Sequence, residues 1–401
     1  MFPVLGRTPR RRGRRRPRAL PLVLLCLPLL WVPLAGCGAG SPSGPGSGAG
    51  SGAPSASADP GERDVRRAVA DWSAVPPAAL AAIPLEGWSY EVSAVRVEGV
   101  RAFARAELRY RLTGYDAAPA GSAREVELTR EGGSWAVTAD RPAPGALPQL
   151  WDQGPVSVER GAHALVLGGA GQSSGALSDI AAEADKAVPA ASAAWPRRWA
   201  GRVVVLVPGS LDAMAALLGR PADEYRGLGA VTTGRTGAGP APADRIVVNP
   251  EGYGQLTAEG RQVILTHETT HVATRAVTTA KTPLWLSEGF ADWAAYRDSG
   301  RTPAEAAPAL ARAVRRGDLP GELPAAGAFA FGGDADALAR AYEGSWLACR
   351  LVARRWGEAA LVSLYEKSGR ESLPTALADT LHTDPAALTR AWQQDLTREF
   401  R

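Results

Sequence analysis

Between residues 102 and 112 the apolar side chains fall on every even position, and arginine or glutamate takes most of the odd ones. That period of two predicts a strand with one buried face. Val126 and Leu128, then Gly132-Gly133, then Trp135 and Val137 predict a hairpin closed by a two-residue glycine turn. Ahead of them, residues 62–72 carry the spacing of a short amphipathic helix. Further on, 156–168 and 201–208 are runs rich in valine and leucine that read as strands, with a helix expected over 175–194 between them. A helix over 211–218 leads into a Gly/Thr-rich loop through Gly239, and 245–249 read as one more strand, closed by Pro250. Thr257 then caps a helix running to about Val277, and Thr282-Pro283 opens another.

These elements divide the chain. Residues 62–150 form a small unit of one helix and an antiparallel sheet, and 155–401 form a larger unit of short strands followed by helices, an α+β architecture overall. The helix and curled sheet of 62–150 resemble the cone-shaped nuclear transport factor 2-like family, which implies a ligand-holding cone or, more simply, a spacer.

The N-terminus has a different character. Residues 1–37 hold eight arginines and no acid, and an apolar run over 19–36 ends in Leu34-Ala35-Gly36-Cys37. A positive end, an apolar segment and small residues before a cysteine are the layout of a secretory signal. The last four residues resemble the lipobox of bacterial lipoproteins, which implies a leader over 1–36 and a lipid on Cys37. An uncleaved membrane anchor is the alternative, and Pro21, Pro28 and Pro33 weigh against it. Either arrangement places the remainder outside the cytoplasm, on the outer face of the cell membrane. Residues 37–61 are mostly Gly, Ser, Ala and Pro, a tether that cannot build a core.

Composition changes the picture in two ways. The net charge of +4 belongs to the leader: without its eight arginines, 37 basic residues face 41 acidic ones, a net of −4. Nothing basic remains to favour nucleic acid. Of three cysteines, Cys26 and Cys37 lie in the leader region, so the folded part holds one thiol, Cys349, which reads as a core residue among Trp346, Leu347, Leu351 and Val352.

Only four histidines occur, at 163, 267, 271 and 382. Two of them form His267-Glu268-Thr269-Thr270-His271 within the helix expected after Thr257. Residues four apart share a helical face, so both imidazoles reach one metal ion, and the intervening glutamate stands beside its water. The next helix carries Leu284-Trp285-Leu286-Ser287-Glu288-Gly289-Phe290-Ala291-Asp292. If the two helices pack antiparallel, Glu288 becomes a third ligand, and Asp292 accepts the far ring N–H of a ligand histidine. Spacing leaves the reverse assignment, Asp292 as ligand, open. Three protein ligands and one vacant position are the catalytic arrangement for zinc. His382, before Asp384-Pro385, reads as part of a helix cap.

The paired motifs resemble the peptidase MA-like gluzincins, relatives of thermolysin and the aminopeptidases, over about 155–400. The resemblance implies Zn²⁺ held by His267, His271 and Glu288, Glu268 as general base and acid, and a peptide or protein substrate. In the aminopeptidase relatives a tyrosine on a later helix steadies the oxyanion, and Tyr342 is best placed for that here; a core tyrosine is the other reading. Residues 246–249 are the candidate edge strand for pairing with an extended substrate. Thr269 departs from the apolar residue usual at its position, and Thr274 and Val277 stand where the metzincins need glycine and a third histidine. The rival function is a binding lipoprotein built on an inactive metallopeptidase fold.

Overall fold

The computed structural model describes residues 59–234, 243–330 and 334–401. The leader, Cys37 and nearly all of the tether lie outside the described residues. Among the described residues no helix is long and apolar enough to cross a membrane. The chain is a mixed α/β structure with two small sheets and a helical C-terminal part.

Helix α1 (Pro60–Trp72) starts two residues earlier than the spacing predicts, because Asp59 caps it and Pro60 fits its first turn. Its Val65 and Val69 are fully buried against a four-stranded antiparallel sheet, β1 (Leu85–Glu98), β2 (Arg101–Leu112), β3 (Ala120–Glu131) and β4 (Ser134–Pro142), paired in chain order. Along β2 every even residue is buried, as its alternation requires. Gly132 and Gly133 both take positive φ, 56° and 91°, which the tight turn between β3 and β4 demands. Strand β1 was not foreseen. It lies at the sheet edge with one buried residue, Tyr90, and two register shifts break its alternation.

The second sheet contains β5 (Ser157–Arg160), β6 (Ala164–Gly168), β7 (Val203–Val207), β8 (Ala230–Thr233) and β9 (Arg245–Val248), in the order β5-β6-β7-β9-β8. β6, β7 and β9 run parallel, and both outer strands run antiparallel to their neighbours. The crossover from β6 to β7 is helix α2 (Ser174–Ala194); helix α3 (Leu211–Leu218) follows β7. Residues 246–249 are therefore not an edge strand: β9 is flanked on both sides. The outer strand on that side is β8, inside the Gly/Thr-rich stretch expected as a loop. Its four residues are too short to show a period, and glycines at 227, 229 and 234 mask it.

The helical part comprises α4 (Pro250–Gly254), α5 (Ala258–Thr274), α6 (Leu284–Tyr296), α7 (Pro303–Ala306), α8 (Pro308–Arg315), α9 (Ala335–Trp356), α10 (Glu358–Ser368), α11 (Leu373–Leu381) and α12 (Pro385–Phe400). Thr257 caps α5 as expected, but the helix ends at Thr274, before Val277. Pro283 takes the cap position of α6, while the Thr282 hydroxyl turns back to accept the Thr279 N–H at 3.1 Å. α6 lies against α9 so closely that a Cβ on Gly289 would sit 2.3 Å from the Ser345 carbonyl oxygen. Cys349 is fully buried at the same contact. His382 ends α11 in the left-handed region, φ 51°, and Asp384 caps α12.

The two sheets share apolar surface. Leu80, Ile83 and Leu112 of the first unit pack with Leu150, Leu165, Leu167 and Val204 in one buried cluster.

Candidate metal centre

From Val263 to His271 every residue of α5 is buried, so the polar groups of this helix must find partners inside the protein. The Thr266, Thr270 and Thr274 hydroxyls do so by donating to the carbonyl four residues back, at 2.8, 2.7 and 3.0 Å. Thr278 continues the series and also meets the Tyr365 hydroxyl at 2.8 Å, which fastens α5 to α10.

The ionisable residues of α5 and α6 meet at one point. His267 Nε2 and His271 Nε2 are 2.9 Å apart, and Glu288 Oε2 lies 3.3 Å from the first and 3.5 Å from the second. All three ligand atoms fall within 4.8 Å of one another, and all three residues are buried. Tetrahedral zinc at about 2.0–2.1 Å from each ligand separates the ligand atoms by about 3.3 Å. The two distances to Glu288 already match that value; the imidazoles need to part by roughly 0.4 Å. The donor set therefore fits the ion. Glu288 gives a second sign: among the described residues neither of its oxygens has a hydrogen-bond partner, although the residue is fully buried. Burial pushes its carboxyl up, but the two imidazoles outweigh this and hold it below the usual range.

Asp292 sits on the other side of the His267 ring, Oδ1 to Nδ1 at 2.8 Å. The Nδ1–H donates to it, which leaves the Nε2 lone pair facing His271 and Glu288. The structure thus brings Glu288, and not Asp292, to the ligand position. Burial raises the Asp292 carboxyl, against the pull of His267.

Glu268 points elsewhere. Its Oε2 accepts the Thr232 hydroxyl at 2.7 Å, and the same hydroxyl lies 3.1 Å from its backbone carbonyl. Oε1 is buried and has no partner among the described residues, so one oxygen is anchored and the other is not. Thr232 belongs to edge strand β8, and no spacing signal in the sequence pointed to it. Tyr342 is buried in α9, with its ring edge-on to Phe329 at 5.3 Å.

Such an arrangement can hold a dication on three buried ligands, with the buried Glu268 one residue past His267 on the same helix. No family model matches the chain, and no curated protein matches it. Among solved structures, native yeast LTA4 hydrolase is similar over 58% of this chain at 12% identity and a TM-score of 0.37. The match spans 37% of that protein's length. A likeness this distant carries no argument about chemistry, which rests on the residues described above.

Proposed function

We propose that the chain is a zinc-dependent peptidase of the gluzincin type, with zinc held by His267, His271 and Glu288. The observation that carries this reading is the meeting of three buried ligand atoms at zinc-like spacing; Glu268, buried and next in the chain to His267, supports it. Bound zinc supplies Lewis acidity: it polarises a peptide carbonyl and lowers the pKa of water toward about 7. The remaining work belongs to the chain. Glu268, anchored by Thr232, takes the proton of the attacking water on Oε1 and returns it to the leaving amine. Asp292 keeps His267 in the tautomer that offers Nε2. Tyr342 donates to the oxyanion. The outer strand β8, in place of 246–249, pairs with an extended peptide or protein substrate. Leu34-Ala35-Gly36-Cys37 supports placing the enzyme outside the cytoplasm, tied to the membrane by a lipid on Cys37.

Glu268→Gln separates an enzyme from a zinc-holding binding protein. It preserves size and hydrogen bonding but cannot take a proton. About one zinc per chain and normal folding are expected to remain, while hydrolysis of a random peptide pool falls by roughly 10²–10⁴. Wild type that is full of zinc yet cleaves nothing in the pool refutes the reading, as does equal cleavage by Glu268→Gln.

A further inference from the structure

The first unit reaches the candidate centre through a series of buried ion pairs. Asp116 follows β2, where its Oδ2 also accepts the Leu112 N–H at 2.8 Å, so the carboxylate is fixed within the first unit. It receives both Nη atoms of Arg245, at 2.6 and 2.8 Å, and the two side chains are 1% and 10% exposed. Arg245 is the first residue of β9 and is paired in register with Thr233 of β8. Its neighbour Asp244 accepts from Arg275 Nε at 2.9 Å, and the Arg275 side chain is 2% exposed. Arg275 stands four residues beyond His271, one turn further along, at the end of α5.

Two routes therefore run from Asp116 to the site. One passes through Arg245 into the β8–β9 pair, whose Thr232, opposite Ile246, holds Glu268. The other passes from Asp244 through Arg275 into the helix that carries both histidines. Buried guanidinium–carboxylate pairs of this geometry are directional and stiff, and losing one partner leaves an uncompensated charge.

We propose that Asp116 is a positioning residue, through which the first unit fixes the β8–β9 pair and hence the orientation of Glu268. The first unit is then a working part of the site and not a spacer. The catalytic half of this proposal rests on the peptidase reading above; the mechanical half does not.

The test uses the full chain. Because Asp116→Asn leaves Arg245 buried without its counter-charge, the double variant Asp116→Asn with Arg245→Met is made beside it; it removes the pair without stranding a charge and keeps an acceptor for Leu112 N–H. Amide hydrogen exchange of Val231–Thr233 and Ile246–Val248 is expected to quicken at least about tenfold in both variants, since fewer interactions hold these strands closed. At full zinc occupancy, kcat on a cleaved peptide is expected to fall roughly 10–100-fold with KM changed far less, the effect of a misplaced reacting group. Leu112→Ala is the control: it loosens the shared apolar cluster without touching the ion pairs and should leave kcat within about twofold at temperatures where it is folded. Unchanged exchange in the double variant overturns the proposal, whatever the activity. So does an equal fall of kcat in Leu112→Ala, which would make the effect one of stability alone. Wild type that cleaves no peptide refutes the peptidase reading, and the exchange data still decide whether Asp116 fixes the strands.

Discussion

Thr232→Val is the most informative single change at the candidate site, because it removes one hydroxyl and keeps the shape of the side chain. That hydroxyl donates to Glu268 Oε2 at 2.7 Å in a place where Glu268 is 1% exposed, so no bulk water can replace it. A hydrogen bond to a charged group contributes about 1.5–3 kcal/mol, and its loss leaves a buried carboxylate oxygen unsatisfied. Unfolding free energy should fall by about that amount. If the bond serves to aim Oε1, the same range expressed as a rate is roughly 10–100-fold in kcat. Thr232→Ser restores the donor and should recover most of the activity. The assay is zinc content, urea unfolding, kcat and KM on the same preparations of wild type and both variants. A valine variant with the wild-type unfolding midpoint and the wild-type kcat would show that the contact with Glu268 is idle, and the anchoring role assigned to β8 would fall with it.

Other changes test neighbouring parts. Asp292→Ala should weaken zinc affinity about 10–100-fold, measured by chelator competition, while Glu288→Ala loses most of the metal; the opposite ranking would exchange their roles. Gly289→Ala should destabilise by several kcal/mol in denaturant unfolding, on the order of an overpacked core, because the added methyl meets backbone at 2.3 Å. Glu343 accepts the Ala309 and Leu310 N–H groups at the start of α8, and burial pushes its carboxyl up to about 7. A folded-state value above the usual one means the folded protein binds the proton more tightly. Its contribution is complete below about pH 4.5 and is lost as pH rises through about 7, so the stability advantage of wild type over Glu343→Ala should narrow across that window, by up to about 3 kcal/mol.

The parts of the fold legible in the sequence carry a single strong period or a fixed spacing. Strand β2 buries one face along its whole length, so alternation revealed it, and the glycine pair announced the turn after β3. Two imidazoles four residues apart, with carboxylates at 288 and 292 on the next helix, determine their own geometry once the helices pack. The ambiguity between Glu288 and Asp292 lasted until packing showed which carboxylate faces Nε2. What escaped was held by tertiary contact alone. β1 is half exposed and bulged, β8 is four residues among glycines, and β9 looked like an edge because its partner strand was hidden. Thr232, Asp116 and Arg275 carry no local signature, since each matters through a residue between 31 and 129 positions away.

The candidate centre is also a matter of charge balance. His267, Glu268, His271, Glu288 and Asp292 are all less than 5% exposed and lie within two packed helices. If all three carboxylates are ionised and both imidazoles neutral, the group buries a charge of −3, and among the described residues no arginine or lysine pairs with it. Asp292 is answered by His267 and Glu268 by Thr232, but among the described residues Glu288 has no hydrogen-bond donor for either oxygen. Burying an unpaired carboxylate costs several kcal/mol, against a total stability of about 5–15 kcal/mol for a protein. Protonating both imidazoles would offset two of the three negative charges, but at 2.9 Å their Nε2 atoms would then oppose two N–H groups. A single dication between Nε2, Nε2 and Oε2 removes that conflict and neutralises most of the charge at once. The polar residues that make the centre unfavourable as a packed core are the ones that make it suitable for a metal.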